Sequence, residues 1–579
     1  MRKILIFFSL LLLVVISGWV ATRLLAWFWI SPVLEAVFKE SVSYYTDDLY
    51  QVDYDDLQIR PLDQEVRFVN FRLSYDSSRV RAEDSLQSRS WMKGSADELR
   101  LNLNNLWQMI PGRYLDVEQL YLSQPMLQVD AYAPSRDTFR LEELSDFNSY
   151  QLIRHYFDSL RVEDISIKNA RLKWNNYYLK TNQQFGIGDI RAQIEGLRVN
   201  PARAKRNFGY PTADVFKLEV DSIRYFTADS LYVISSGRIK ADPVRQELIL
   251  DDFSLVPQYS NYQFARQVGY QQDRISLNVP EIRLEGVNLH YLLADQAIIA
   301  RRFLISQADL QVFKDKRLNR PEKAEKPMLQ QTLQDIRIPF RLDTLMLKEG
   351  SIVYAEHVPE GNKAGRVSFS PVYMTAYNIT NLDSLVLKNI HLVADIRARL
   401  MSEGWLDLHL DFPLNNQQGY HRLSGKLSPM ALSAMNEILE PTAFATVNSG
   451  FSDDLQFVIE ADEIQSGGEV HFRYNDLKIE LLNKDQPEDL KLRQKIGSFL
   501  ANNFVIKTNN PSGKQDLRVG EVFFRREAGK SIFSYWWQSL LSGLKESIGL
   551  KNNDKPEPEK EKKRKPGLLK RIFDSGGGR

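Results

Sequence analysis

The stretch LRVEDISIKNARLKW, residues 160 to 174, places apolar side chains at Leu160, Val162, Ile165, Ile167, Leu172 and Trp174, with Ala170 at an intervening step. LDVEQLYLSQPMLQV holds the same register with Leu115, Val117, Leu120, Leu122, Pro125, Leu127 and Val129. FRLDTLMLKEGSIVY holds it again with Phe340, Leu342, Leu345, Leu347, Gly350, Ile352 and Tyr354, and weaker copies start at Leu218, Ile298 and Leu382. This recurrence constrains the fold more than any other property, because a repeated pattern means one supersecondary unit used many times. Alternation at period two gives a strand one apolar and one solvated face. Two three-residue steps shift the parity within each copy and predict a bulge or tight turn there. Pro125, Ala170, Ala308 and Gly350 occupy the second step, where a hairpin reversal is expected.

The chain has 579 residues, 43% of them hydrophobic, enough to bury a large core. Its formal net charge of +1 gives no global attraction to nucleic acid. With no cysteine, disulfides, thiolate metal sites and thiol nucleophiles are excluded. The predicted fold is mostly β, built from strand pairs with one apolar face and few short helices; that face is equally what an ordinary β-sandwich would bury against a partner sheet.

Residues Ile4 to Ala21 are uncharged and follow Arg2 and Lys3, which predicts a membrane-spanning anchor over 1–23 with a cytoplasmic amino terminus. Trp19 and Val20 stand where a cleavable signal would place small residues. An interfacial segment is expected over 24–50, β regions over 51–313 and 331–530, and a charged loop over 314–330. A short helix is expected in SPMALSAMNEIL, with Ser428 as N-cap and Met435, Ile438 and Leu439 buried. An amphipathic helix is expected over 531–550, followed by a disordered basic tail over 551–579. Ile532, Phe533, Trp536, Trp537, Leu540, Leu541 and Leu544 make its apolar side, suited to a membrane interface or to docking over the end of the sheet.

Catalytic signatures are missing. The seven histidines form no HExxH pair, and no G-x-S-x-G or G-x-G-x-x-G motif occurs. Gly529-Lys530-Ser531 ends like a phosphate loop, but Phe524 stands where the first glycine belongs. The run DYDD, residues 53 to 56, lacks the glycine and closing glutamate of a calcium loop. The expectation is a non-enzymatic protein with no catalytic residue, no metal and no cofactor; hydrolysis of glycans or lipids rests only on scattered carboxylates.

An apolar anchor followed by hundreds of residues of degenerate "L-x-V-x-x-I-x-I-x-x-A-x-L-x-W" strands resembles the AsmA family, relatives of TamB and YhdP. LSGKLSPMALSAMNEILEP (423 to 441) and NSGFSDDLQFVIEADEIQSGGEVHFRYNDLKIELL (448 to 482) resemble the family's closing segment: a short helix, then strands joined through a turn at Gly467 and Gly468. The resemblance implies a Gram-negative protein held in the inner membrane by a single pass, with the bulk of the chain periplasmic. It also implies an elongated, curled antiparallel β-sheet forming a groove that carries phospholipid toward the outer membrane, with the outer membrane or envelope proteins as further partners. The candidate lining is Leu120, Leu122, Leu127, Val129, Ile165, Ile167, Leu172, Trp174, Leu345, Leu347, Ile352 and Tyr354. A scaffold aiding outer-membrane protein assembly, with its apolar faces sealed, is the alternative.

Overall fold

The 25 strands of the computed structural model join one curled, mixed sheet. The structure describes residues 46–60, 63–82, 90–104, 113–131, 157–176, 184–201, 213–227, 229–288, 297–320, 325–388, 390–482 and 506–550, plus seven isolated positions. The predicted anchor (apart from Ser17), most of the interfacial segment and the tail lie outside these residues. No helix among the described residues is long and apolar enough to cross a membrane.

The chain lays down β1 (Tyr50–Asp53), β2 (Asp56–Arg60), β3 (Glu65–Tyr75), α1 (Ser77–Ala82), β4 (Ser90–Leu103), β5 (Tyr114–Ser123) and β6 (Met126–Ala131). Next come β7 (Ser159–Asn176), β8 (Gln184–Val199), β9 (Val215–Val220), β10 (Ile223–Phe226), β11 (Tyr232–Ser236), β12 (Ile239–Asp242) and β13 (Glu247–Pro257). Helix α2 (Asn261–Val268) leads into β14 (Asp273–Glu285), β15 (Ile298–Ser306), β16 (Asp309–Asp315), α3 (Leu329–Asp335), β17 (Phe340–His357) and β18 (Gly365–Thr380). Helix α4 (Asp383–Val386), β19 (His391–Leu400), β20 (Gly404–Pro413), β21 (His421–Leu427) and β22 (Met430–Ala431) follow. A 3-10 turn (Leu432–Met435), α5 (Asn436–Ala443), β23 (Ala445–Ala461), β24 (Gln465–Leu481), β25 (Val519–Arg525) and α6 (Ile532–Ser547) close the chain.

The all-antiparallel expectation is corrected. β7 runs parallel to β5 and β6, and β17 runs parallel to β15 and β16. In each case the chain returns to the same end of the sheet before starting the next strand, a crossover that forces parallel pairing. These parallel neighbours are copies of the repeat, stacked like upon like. Leu115, Val117, Leu120, Leu122, Leu127 and Val129 lie beside Leu160, Val162, Ile165, Ile167, Leu172 and Trp174. Ile298, Ala300, Phe303, Ile305, Leu310 and Val312 lie beside Phe340, Leu342, Leu345, Leu347, Ile352 and Tyr354 in the same way.

The second three-residue step is a bulge, so the expected hairpin reversal is also corrected. Gln124, Asn169, Gln307 and Glu349 adopt left-handed φ values of 46°, 55°, 52° and 56°. The register shifts beside them, between Ile167 and Ala170 and between Leu347 and Gly350. One left-handed residue carries the strand past an extra position without reversing it, so the alternation resumes on the same face. Ala308, just beyond Gln307, accordingly shares one apolar cluster with Ile305 and Leu347.

Two further expectations change. Pro429 precedes strand β22, the helix starts only at Asn436, and the buried anchor is Met430 (2% exposed), with Met435, Ile438 and Leu439 half-buried. Gly467 and Gly468 lie inside β24, not in a turn; Gly468 has φ 150°, and a Cβ there would meet the Val458 carbonyl oxygen at 2.0 Å. The charged segment also begins later than expected, because Lys314 and Asp315 finish β16, and Leu329 and Gln330 already belong to α3.

The core is distributed along the sheet. A large carboxyl-terminal cluster gathers residues of β18 to β25 under α3 and α6, and an amino-terminal one joins β2 to β7. Between them, among the described residues, Val279, Ile282 and Ala308 form a small buried nucleus.

Candidate functional site

The cross-strand register links the repeats into an apolar row running across the strands. It passes Leu57, Phe68, Leu99, Leu122, Ile167, Ala192, Leu218, Ala241, Leu248 and Leu284. It continues through Phe303, Leu345, Ala376, Ala394, Leu410, Leu423, Ile459, Gly468 and Val522. Each residue pairs directly with the next, and none carries a polar side chain. Its eighteen steps, at about 4.8 Å each, span roughly 85 Å along the curled sheet, more than twice the ~30 Å hydrocarbon core of a bilayer.

A second row runs beside it: Ile190, Val220, Ile239, Leu250, Ile282, Ile305, Leu347, Met374, Ile396 and Leu408. A shorter third row joins Ile59, Val66, Leu101, Leu120, Ile165, Ile194 and Phe216. The opposite face carries charge: Arg283 pairs with Glu247 at 3.0 Å and Lys240 with Asp251 at 3.4 Å.

Burial varies along the first row. Phe68 and Leu99 at one end are buried, as are Ala376 to Ile459 near the other; in the middle Ala192 and Ala241 are buried, whereas the larger Leu218, Leu248, Leu284, Phe303 and Leu345 are only half-buried. The row is therefore sealed towards its ends and half-open between them at its larger side chains.

The predicted lining residues fall on these rows or their flanks. Leu122, Ile167 and Leu345 belong to the first row, Leu347 to the second, and Leu120 and Ile165 to the third. Leu127 and Leu172 pair with each other and then with Ile187; Val129 pairs with Trp174. Ile352 and Tyr354 pair with Leu310 and Val312 on one side and with Phe369 and Val367 on the other. Val129 and Ile165 are buried, Leu127 is 41% exposed, and the other nine are half-buried. Leu172 also borders a hollow of about 400 Å³ with Met126, Arg171, Lys173, Gly186, Ile187 and Gly188. Tyr354 bonds Glu356 at 2.7 Å, and burial pushes its phenol far above the ordinary range. Beyond it the face turns ionic, with Lys314 pairing Asp273 at 3.0 Å. The middle of the rows, on β13 and β14, was not singled out from the sequence, although Leu248, Leu250, Ile282 and Leu284 alternate as plainly as the copies that were.

Helix α6 lies over β24 and β25. Its sheet-facing residues are Tyr535, Ser539, Ser542, Gly543 and Ser547. Ile532, Trp536, Leu540 and Leu544 pack at the flank of the carboxyl-terminal core, Leu541 is half-buried, and Phe533 and Trp537 point outward, 72% and 43% exposed. The Trp536 indole N–H donates to Nε2 of buried His421 at 2.8 Å, and that ring stacks on Phe412 with centroids 5.0 Å apart.

The remaining motifs resolve into structural roles. Asp53 and Asp55 accept from Arg72 at 2.8 and 2.7 Å, and these bonds hold Asp53 below the usual carboxylate range. Ser531 of the GKS run caps α6, accepting from the Ser534 amide. Among the described residues no group of three or more His, Asp or Glu side chains is placed to hold a metal. No protein-family model matches the chain, and no curated protein matches it.

Proposed function

We propose that this chain is an envelope lipid carrier, held in the inner membrane by residues 4–21, whose apolar rows receive phospholipid acyl chains and pass them toward the outer membrane. The unbroken nineteen-residue row, half-open at its middle, is the observation that carries the reading. An acyl chain needs no polar partner; burying each methylene is worth about 0.8 kcal/mol, and a continuous row offers equivalent positions along which a chain can shift without a large barrier. The ionic opposite face keeps the sheet soluble while the apolar face stays available. The resemblance to the AsmA family points the same way, as do the absent catalytic motifs.

The test compares half-buried with fully buried positions of the apolar face. Leu172→Asp and Leu248→Asp, at half-buried sites, are expected to abolish phospholipid detected by mass spectrometry on the gently purified full chain while leaving the unfolding midpoint near that of the parent. Ile459→Asp, at a fully buried site, is expected to destabilise the fold by more than about 3 kcal/mol. Parent protein without bound phospholipid, together with equal destabilisation by all three changes, would sink the carrier reading and favour a sealed scaffold that aids outer-membrane protein assembly.

A further inference from the structure

We propose that the hollow beside Leu172 holds the phosphate group of a phospholipid, gripped by Arg171 and Lys173 while the acyl chains lie on the apolar face. The hollow measures about 400 Å³, within the ~300–1,000 Å³ ordinary for small-ligand sites. Its lining comes from both faces of the sheet. Leu172 and Ile187 pair with each other on the apolar face, whereas Met126, Arg171, Lys173, Gly186 and Gly188 alternate with the apolar positions and belong to the other. A continuous sheet keeps such faces apart, and here it is not continuous. β8 pairs with β9 from Glu195 to Ile190, and β10 pairs with β11, so from Gln184 to Asp189 the described strands give β8 one neighbour, β7. A molecule straddling that edge keeps its tails on one face and its head on the other.

Charge and backbone select the occupant. Arg171 is exposed, Lys173 is half-buried, and among the described residues neither pairs with a carboxylate. No described acid lines the hollow: Asp189 follows Gly188 in sequence but is not part of the wall, and Asp130, one pair along on β6, accepts from Tyr75 at 2.6 Å and from Asn175 at 2.5 Å. Two cations about 7 Å apart along one strand suit a phosphate, and the planar guanidinium can meet two of its oxygens at once. The glycines mark the approach. Neither Gly186 nor Gly188 has a left-handed φ, so backbone conformation does not require them. Packing does not either, since a Cβ on Gly186 would lie 3.8 Å from the Leu172 carbonyl oxygen and one on Gly188 would meet no atom within 4 Å. Glycine inside a strand costs stability, and it recurs where a ligand comes close to the backbone. Alternate amides of the unpaired edge add outward-facing donors for the same anion. The site deepens the carrier reading and rests on it for the placing of the tails, naming the headgroup contact that fixes a lipid's orientation on the sheet.

Dihexanoylphosphatidylglycerol, kept below its micelle concentration, is titrated calorimetrically into the full chain in a nonionic amphipol. The double change Arg171→Gln with Lys173→Gln is expected to weaken binding at least about tenfold. Gly188→Leu, which fills the hollow, is expected to weaken it comparably while leaving the unfolding midpoint at or above that of the parent. Lys168→Gln removes an exposed cation of β7 that does not line the hollow, and is expected to change nothing. Inorganic phosphate, lacking tails to bury, is expected to compete only at concentrations at least about a hundredfold higher. Competition by phosphate at equal concentration would make this a free-anion site and overturn the lipid assignment. Unchanged affinity in the double variant or in Gly188→Leu, or an equal loss in Lys168→Gln, overturns the site, whatever lipid copurifies with the parent. The expected losses in a chain that copurifies no phospholipid support the phosphate site while removing the carrier reading.

Discussion

His421 shows how much one buried side chain decides. Its Nδ1 lies 2.9 Å from the Gly419 carbonyl oxygen, an acceptor only, so Nδ1 carries the proton and Nε2 is left to accept the Trp536 N–H. Burial holds this imidazole below its ordinary value. A second proton would sit on Nε2 and face another N–H, so the folded state resists it while the unfolded chain takes it up freely. As pH falls below about 6.5 the unfolded state binds the proton first, and stability declines until the lower folded value is passed. Urea midpoints measured between pH 7.5 and 5.5 should therefore fall for the parent. His421→Phe should flatten that slope while costing about 1–3 kcal/mol at neutral pH, because the indole N–H loses its acceptor. A slope unchanged by the substitution would assign the pH dependence to other groups. None of this was legible in the sequence, where His421 looks like any of seven scattered histidines; its partner is 115 residues away and its burial comes from the docked helix.

At the scale of elements, α6 was legible as a helix but not in how it is oriented. Spacing marks Ile532, Trp536, Leu540, Leu544 and Ile548 as the face to bury, yet the side pressed closest to the sheet is the serine and glycine one. Close approach explains this, since a Cβ on Gly520 of β25 would lie 1.9 Å from the Gly543 carbonyl oxygen, and one on Gly543 would lie 2.5 Å from Val470 Cγ2. Small residues let the helix backbone settle onto the strands, and the larger apolar residues fill the flank. Gly520→Ala should thus push α6 away. We expect a loss of about 2 kcal/mol or more in stability and faster proteolysis after β25, while the same change at Gly269, which has no atom within 4 Å of its Cβ position but a φ of 86°, should cost only about 1 kcal/mol. Equal losses at the two sites would mean that the helix contact yields to the added methyl group. The bulged repeats were more legible. Alternation and the three-residue steps located the irregularities at Pro125, Ala170, Ala308 and Gly350, each one residue beyond the left-handed Gln124, Asn169, Gln307 or Glu349, but a skipped position looks the same in sequence whether the chain bulges or turns back.

At the scale of the whole molecule, the rows emerge because copies of the unit stack in constant register, so any residue apolar in one copy meets an apolar residue in the next. The alternation made that face legible. The parallel direction of the stacking was not, since a strand carries the same alternation whichever way its neighbour runs. A sheet built this way is quasi-one-dimensional: each strand is stabilised by its immediate neighbours, and stability need not be uniform along it. The carboxyl-terminal cluster is capped by α3 and α6, whereas the nucleus between β13 and β17 contains three fully buried residues. Amide exchange should follow that difference. Protection in β20 to β24 should exceed that in β12 to β16 by at least about a hundredfold, because local opening of the middle strands exposes little apolar surface that is not already half-exposed. Added phospholipid should raise protection in the middle strands and leave the capped end unchanged, since a ligand stabilises only the region whose closed form it binds. Uniform exchange along the sheet, or lipid-induced protection confined to β20 to β24, would show that the open middle is not where acyl chains reside.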